Sequence, residues 1–75
     1  MPRLPRVTAK EAVRAVERDG WRSVKSSGGH RHFRHPTKPG RVTIPIHGSG
    51  DLTPGTVKGI LAQAGLSVEA FIDLL

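Results

Sequence analysis

The sequence of 75 residues contains no cysteine, and its aromatic side chains are limited to one Trp and two Phe. Without cysteine, neither a disulfide nor a thiolate-bound metal can stabilise the fold. No apolar run approaches the ~18 residues of a membrane span, and the first residues lack the apolar stretch of a signal peptide. We therefore expect one small cytoplasmic domain over residues 1–75, with residues 1–6 flexible and a core worth only ~3–5 kcal/mol.

Acidic residues are absent from the middle of the chain. Residues 20–50 hold six of the twelve Lys and Arg and all four histidines, but none of the six Asp and Glu. A basic segment without carboxylates attracts a polyanion without local competition. The pattern favours nucleic acid as the partner, although a solvated basic surface or a dock for an acidic protein would have the same composition. The basic residues concerned are Arg22, Lys25, Arg31, Arg34, Lys38 and Arg41.

Three helices are predicted from capping residues and apolar spacing. Thr8 and Glu11 form a capping box before a first helix over residues 9–19. A second helix begins with proline at its first position and ends at a glycine, from Pro54 to Gly65. Ser67 caps a short third helix. The apolar face predicted for this third helix consists of Val68, Phe71, Ile72 and Leu75.

The middle of the chain predicts three strands at residues 21–27, 30–35 and 41–47. Gly28-Gly29 is a signal for a tight hairpin between the first two strands. The resulting order is α-β-β-β-α plus a short C-terminal helix, an α+β fold with a three-stranded antiparallel sheet. The helices are expected to cover one face of the sheet and to leave the other open. The covered face of the third strand is predicted to comprise Val42, Ile44 and Ile46.

His30 begins the second strand directly after two glycines, so a phosphodiester backbone could approach it closely. Strand alternation separates two sets of side chains, His30, His32 and Arg34 on one face and Arg31, Phe33 and His35 on the other. Because Phe33 is the natural core residue, the first set is expected on the open face. A histidine, with an unperturbed pKa near 6.5, can take the proton of a ribose 2′-hydroxyl or protonate the departing 5′-oxygen. This chemistry makes His30 a candidate catalytic residue for cleaving RNA.

Other interpretations of the histidines remain open at this point. Histidines at positions i and i+2 can bind zinc, but this segment offers no carboxylate or cysteine to complete a site. For His32, His35 and His47 individually, a polar surface role is the simpler expectation. Trp21 and Phe33 could stack on bases, but in so small a domain they are expected to be structural. Candidates for RNA or phosphate contact are Lys25, Gly28, Gly29, Arg31, His32 and Arg34, of which Lys25, Arg31 and His32 could also assist as acids.

Several motifs, taken in order, resemble one known family. They are Gly28-Gly29-His30, Phe33, His35-Pro36, Val42-x-Ile44-Pro45-Ile46-His47, Leu52-x-Pro54-Gly55-Thr56-x-x-x-Ile60-Leu61 and Ala64-Gly65-Leu66. From about residue 8 to residue 71, the chain resembles the HicA (YcfA-like) toxins of bacterial toxin–antitoxin pairs. The resemblance implies a fold like that of double-stranded-RNA-binding domains. It also places the family's catalytic histidine at His30, with Gly29 where the family often has serine.

The resemblance further implies a metal-independent endoribonuclease that cleaves mRNA without a cofactor. Its expected protein partner is a HicB-type antitoxin that blocks the active site, and any contact with operator DNA would be made through that antitoxin. A plain double-stranded-RNA-binding module is disfavoured, because the start of the second helix carries a single lysine, Lys58. The alternative that stays open is a catalytically silent RNA-binding or partner-docking module of the same fold.

Overall fold

The predicted element order is confirmed. A computed structural model describes residues 3–46 and 50–75. It shows an α+β fold, consistent with a double-stranded-RNA-binding-domain-like architecture. His47, predicted at the end of the third strand, lies outside the described residues. The elements are α1 (Ala9–Arg18), β1 (Arg22–Ser27), β2 (His30–Arg34), β3 (Val42–Pro45), α2 (Pro54–Ala64) and α3 (Val68–Leu74).

The three strands form an antiparallel sheet in the order β1-β2-β3. Gly28 and Gly29 connect β1 to β2 with φ angles of 52° and 80°. Two consecutive residues with positive φ are typical of the tight turns whose twist matches a hairpin. The register between β1 and β2 shifts at Val24, since Ser23 lies opposite Phe33 whereas Lys25 lies opposite His32. Val24 is therefore the extra residue of a β-bulge.

The core lies on one side of the sheet, against the helices. Helix α1 packs on β3 and α3, and α2 packs on β3. Trp21 and Phe33 are both fully buried in this core, which confirms the structural role predicted for them. The N-terminal segment contributes as well, because Leu4 packs against the core. The largest fully buried side chains are Trp21, Phe33, Phe71, Ile44, Val7, Val16, Val42 and Val57.

Three apolar residues predicted on buried faces are exposed instead. Ile46, the residue that follows β3, is 38% exposed. In α3, Phe71 is fully buried and Leu74 packs against the core, so the buried stripe is rotated from the predicted one. Ile72 and Leu75 remain 38% and 43% exposed as a result.

The helix ends follow the predicted capping chemistry. The Thr8 hydroxyl accepts from the Glu11 backbone N–H, and the Glu11 carboxylate accepts from the Thr8 N–H. The Thr53 hydroxyl caps α2, which ends at Gly65 in a left-handed conformation. Each cap satisfies backbone groups that a helix end leaves without partners. Among residues 3–46 and 50–75, no helix has the length and apolar character needed to cross a membrane.

A polar cluster joins α1 to the end of β2. The His35 ring donates from Nε2 to the Asp19 backbone oxygen at 2.7 Å and accepts at Nδ1 from the Thr37 and Lys38 backbone N–H groups, both at 3.1 Å. Its ring also lies edge-on to Trp21, with centroids 5.2 Å apart. The surface role expected for His35 is therefore wrong, because its ring joins the end of α1, at Asp19, to the turn that follows β2.

Candidate active site

His30 lies at the hairpin end of the sheet. It is the first residue of β2, it is exposed, and its Nδ1 lies 3.3 Å from the Gly28 carbonyl oxygen. A carbonyl can only accept, so this hydrogen bond keeps a proton on Nδ1 and leaves the lone pair of a neutral ring on Nε2. The Gly28-Gly29 turn thus fixes both where β2 begins and which tautomer of His30 is favoured.

A shallow depression of about 300 Å³ surrounds this residue, which we name the hairpin depression. It brings His30 together with three of the predicted phosphate-contact residues. Its lining residues are Ser26, Gly28, Gly29, His30, Arg31 and Ile46.

A second depression, of about 360 Å³, lies along the sheet, and we name it the open-face depression. His32 and Lys25 are opposite one another in the β1–β2 register and both line it. The His32 Nδ1 lies 2.9 Å from the Thr43 hydroxyl on β3, which orients the ring from the neighbouring strand. The lining residues are Val24, Lys25, His32, Arg34 and Arg41.

The two predicted arginines are held in different ways. Arg34 donates from Nη1 to the Gly40 carbonyl oxygen at 3.0 Å, so the turn after β2 restrains its guanidinium. A guanidinium has five N–H donors, and one such bond leaves capacity for a phosphate. Arg31 alternates to the core-facing side, where its guanidinium carbon lies 5.4 Å from the centroid of the Phe33 ring. It reaches the hairpin depression but not the open-face depression.

Every predicted site residue thus lines one of two depressions, one at the hairpin end of the sheet and one on its open face, which share no lining residue. Sequence reasoning missed Val24, Arg41 and Thr43. Val24 was missed because no local signal in the sequence marks the bulge that places it. Arg41 could have been found because it belongs to the basic segment that lacks carboxylates. Thr43 could have been placed on the open face because it alternates with Val42 and Ile44, which are buried.

The charge of this surface is of one sign. No Asp or Glu occurs in any of the three strands. The nearest acidic residue along the chain, Asp19, is bound to Lys38 at 2.5 Å and to the Trp21 indole N–H at 3.1 Å. Within the described part of the chain, no three His, Asp or Glu side chains are arranged to hold a metal ion. The surface can therefore attract an anion and offer it imidazole, guanidinium and ammonium groups.

These features define a class of protein, a small α+β domain whose fold is consistent with that of double-stranded-RNA-binding domains and which presents a basic, histidine-bearing sheet surface. The family model described as HicA toxin of bacterial toxin–antitoxin matches residues 9–66. The match spans all the strands, α1 and α2. The chain belongs to the HicA toxin family. No curated protein matches it.

Proposed function

We propose that this toxin is a metal-independent endoribonuclease that cleaves mRNA, with His30 as its general acid or base. One observation carries the proposal. An exposed histidine follows two positive-φ glycines at the end of a sheet surface that contains Lys and Arg but no carboxylate. Catalysis of RNA cleavage needs both a general acid or base and a surface that binds phosphate.

The chemistry follows from the tautomer of His30. The lone pair on Nε2 accepts the proton of a ribose 2′-hydroxyl, and the 2′-oxygen forms a bond to the adjacent phosphorus. The bond from phosphorus to the 5′-oxygen breaks, and a proton is delivered to that oxygen, which leaves a 2′,3′-cyclic phosphate and a 5′-hydroxyl. One such group contributes about 10²- to 10⁴-fold to the rate. Lys25 and His32 are the candidates for protonating the 5′-oxygen, whereas Arg31, whose guanidinium keeps its protons, is a candidate for contact with the phosphate.

Phosphate contacts are assigned in this proposal to the same two depressions. Gly28 and Gly29 allow close approach of the RNA backbone to His30, because they carry no side chain. Lys25, His32 and Arg34 bind the chain along the open face. Cations near the phosphorus stabilise the charge that develops in the transition state.

The proposed protein partner is a HicB-type antitoxin that covers this basic surface and keeps RNA away from it. The antitoxin is expected to present an acidic surface to these basic residues, because opposite electrostatic potentials steer association. The toxin would act in the cytoplasm, where mRNA is translated, and would reach operator DNA only within the toxin–antitoxin complex.

Purified wild-type chain and His30→Ala, incubated with a labelled RNA with and without EDTA, provide the test. Wild type is expected to cut in both conditions, and His30→Ala to cut about 10²- to 10⁴-fold more slowly. Lys58→Ala, on α2 and away from both depressions, is the matched surface control and is expected to cut as wild type does. Thermal unfolding of each variant verifies that the fold is retained.

Each contrary result has a distinct meaning. Equal cutting by wild type and His30→Ala would remove His30 from the mechanism. Loss of cutting in EDTA would favour a metal-dependent reaction. Salt-dependent RNA binding without any product would favour the silent RNA-binding module. Expression of the chain alone in a bacterial host is expected to arrest growth, and co-expression of the antitoxin is expected to relieve the arrest.

A further inference from the structure

The bulge in β1 places an apolar side chain on an otherwise cationic surface. Val24 is 57% exposed, more than any other exposed large hydrophobic residue in the described part of the chain. It lines the open-face depression together with Lys25 and His32. Bulges are over-represented beside active sites, where they redirect a side chain. A regular strand would have kept strict alternation and would not have placed neighbouring residues in the same depression.

Side chains that can bind phosphate follow one face of β2. His30, His32 and Arg34 lie two residues apart along one face, which corresponds to steps of about 6.6–6.8 Å. Such a step is comparable to the distance between consecutive phosphates of an extended nucleic-acid strand. Arg34 and Arg41 flank the far end of this row, and both line the depression that contains Val24.

We propose that the open-face depression is a nucleotide subsite of the RNA substrate, in which Val24 covers one face of an unpaired base while Arg34 and Arg41 hold a neighbouring phosphate. The proposal rests on the proposed function, since it assigns the nucleotide next to the one that His30 cleaves. A base whose face is covered cannot be stacked within a duplex, so the substrate class is single-stranded RNA. An acidic protein segment would be attracted by the same charge, so the choice of RNA rests on the exposed apolar Val24 beside Arg34 and Arg41, which together match a base face next to a phosphate.

Binding is measured by titrating the full chain, in a His30→Ala background, into a labelled single-stranded RNA of about ten nucleotides. Val24→Ser shortens the side chain and removes its apolar surface. It is expected to weaken binding by about 5- to 10-fold, the lower part of the range for removing a base platform. Ile72→Ser on α3 is the matched control, because it makes the same kind of change at an exposed apolar residue away from both depressions.

The phosphate contact is tested by the salt dependence of the same titration. Each phosphate contact on a single strand contributes about 0.7 to the slope of log K against log salt concentration. Arg41→Gln is expected to lower the slope by about that amount, whereas Lys58→Gln on α2 is expected to leave it unchanged. The same sequence offered as a duplex is expected to bind more weakly than the single strand.

The outcomes separate this proposal from the proposed function. If Val24→Ser and Arg41→Gln bind like their controls, or if the duplex binds more tightly, the subsite is wrong even though wild type cuts RNA. If wild type leaves RNA intact but Val24→Ser and Arg41→Gln show the expected losses, the subsite is supported and the endoribonuclease function is wrong. Unfolding midpoints equal to those of the controls show that the losses do not arise from unfolding.

Discussion

Replacing His35 with alanine is expected to remove most of the stability of this domain. The substitution deletes the hydrogen bond to the Asp19 carbonyl and the two accepted from the Thr37 and Lys38 N–H groups. Each contributes a net ~1 kcal/mol, and the edge contact with Trp21 contributes about 0.5–1.5 kcal/mol more. Because water can replace some of these bonds, the expected loss is about 2–4 kcal/mol.

The expected loss is large relative to the total free energy of unfolding of the domain. A domain of this size has only ~3–5 kcal/mol of net stability, so His35→Ala is expected to populate the unfolded state at 25 °C. Urea denaturation followed by far-UV circular dichroism gives the free energy of unfolding. His30→Ala is the matched control, and its expected change is within ~0.5 kcal/mol because the residue is exposed.

Equal stability of the two variants would refute the reasoning. It would mean that water replaces all three hydrogen bonds of His35 without loss. A smaller but clear difference, near 1 kcal/mol, would mean that one bond matters and the others do not. Trp21 fluorescence is a poor reporter for this comparison, since the substituted ring lies against the indole.

Three further substitutions test the local geometry. Gly20→Ala places a methyl group 2.7 Å from the His35 Nε2, at a position with a φ of 104°. The free energy of unfolding is expected to fall by about 1–3 kcal/mol, measured by thermal unfolding. An unchanged unfolding midpoint would contradict this backbone conformation at Gly20. Gly28 has open space around it, so Gly28→Asn is expected to retain stability, whereas Gly28→Val is expected to lose about 1–2 kcal/mol from backbone conformation alone. Thr43→Val removes the hydroxyl beside His32, and RNA cleavage is expected to slow with little change in unfolding, measured as kcat and KM.

The element order could be predicted because its signals are local. A capping box, a Pro at the first helical position and a Gly-Gly turn each depend on residues a few positions apart. Because Phe33 is the natural core residue of β2, strand alternation placed His30 and Arg34 on the opposite face of the sheet. Those predictions needed no knowledge of what packs against the sheet.

The rest depended on contacts between distant parts of the chain. His35 is a structural residue only because the C-terminal end of α1 lies beside the end of β2. Ile72 is exposed because the rotation of α3 is set by the packing of Phe71 and Leu74. The bulge at Val24 changes the face of one residue, and no composition or spacing in the strand indicates it. In each case, tertiary packing selects one of several arrangements that the local sequence permits equally well.

His30 and His35 therefore belong to separate groups of interacting residues. Whether their contributions to the free energy of unfolding are independent can be measured. His30 and His35 are five residues apart along an extended segment, roughly 17 Å, and the hydrogen bonds of His35 run to Asp19, Thr37 and Lys38. Substitutions more than ~7–10 Å apart without shared partners add to within about 0.3–0.5 kcal/mol. A double-mutant cycle of His30→Ala and His35→Ala, followed by urea denaturation, is expected to give a coupling below that value. A coupling above ~1 kcal/mol would place both residues in one network. In that case, loss of RNA cleavage by His30→Ala could no longer be assigned to chemistry alone, because the substitution would also disturb the contacts that hold α1 against the sheet.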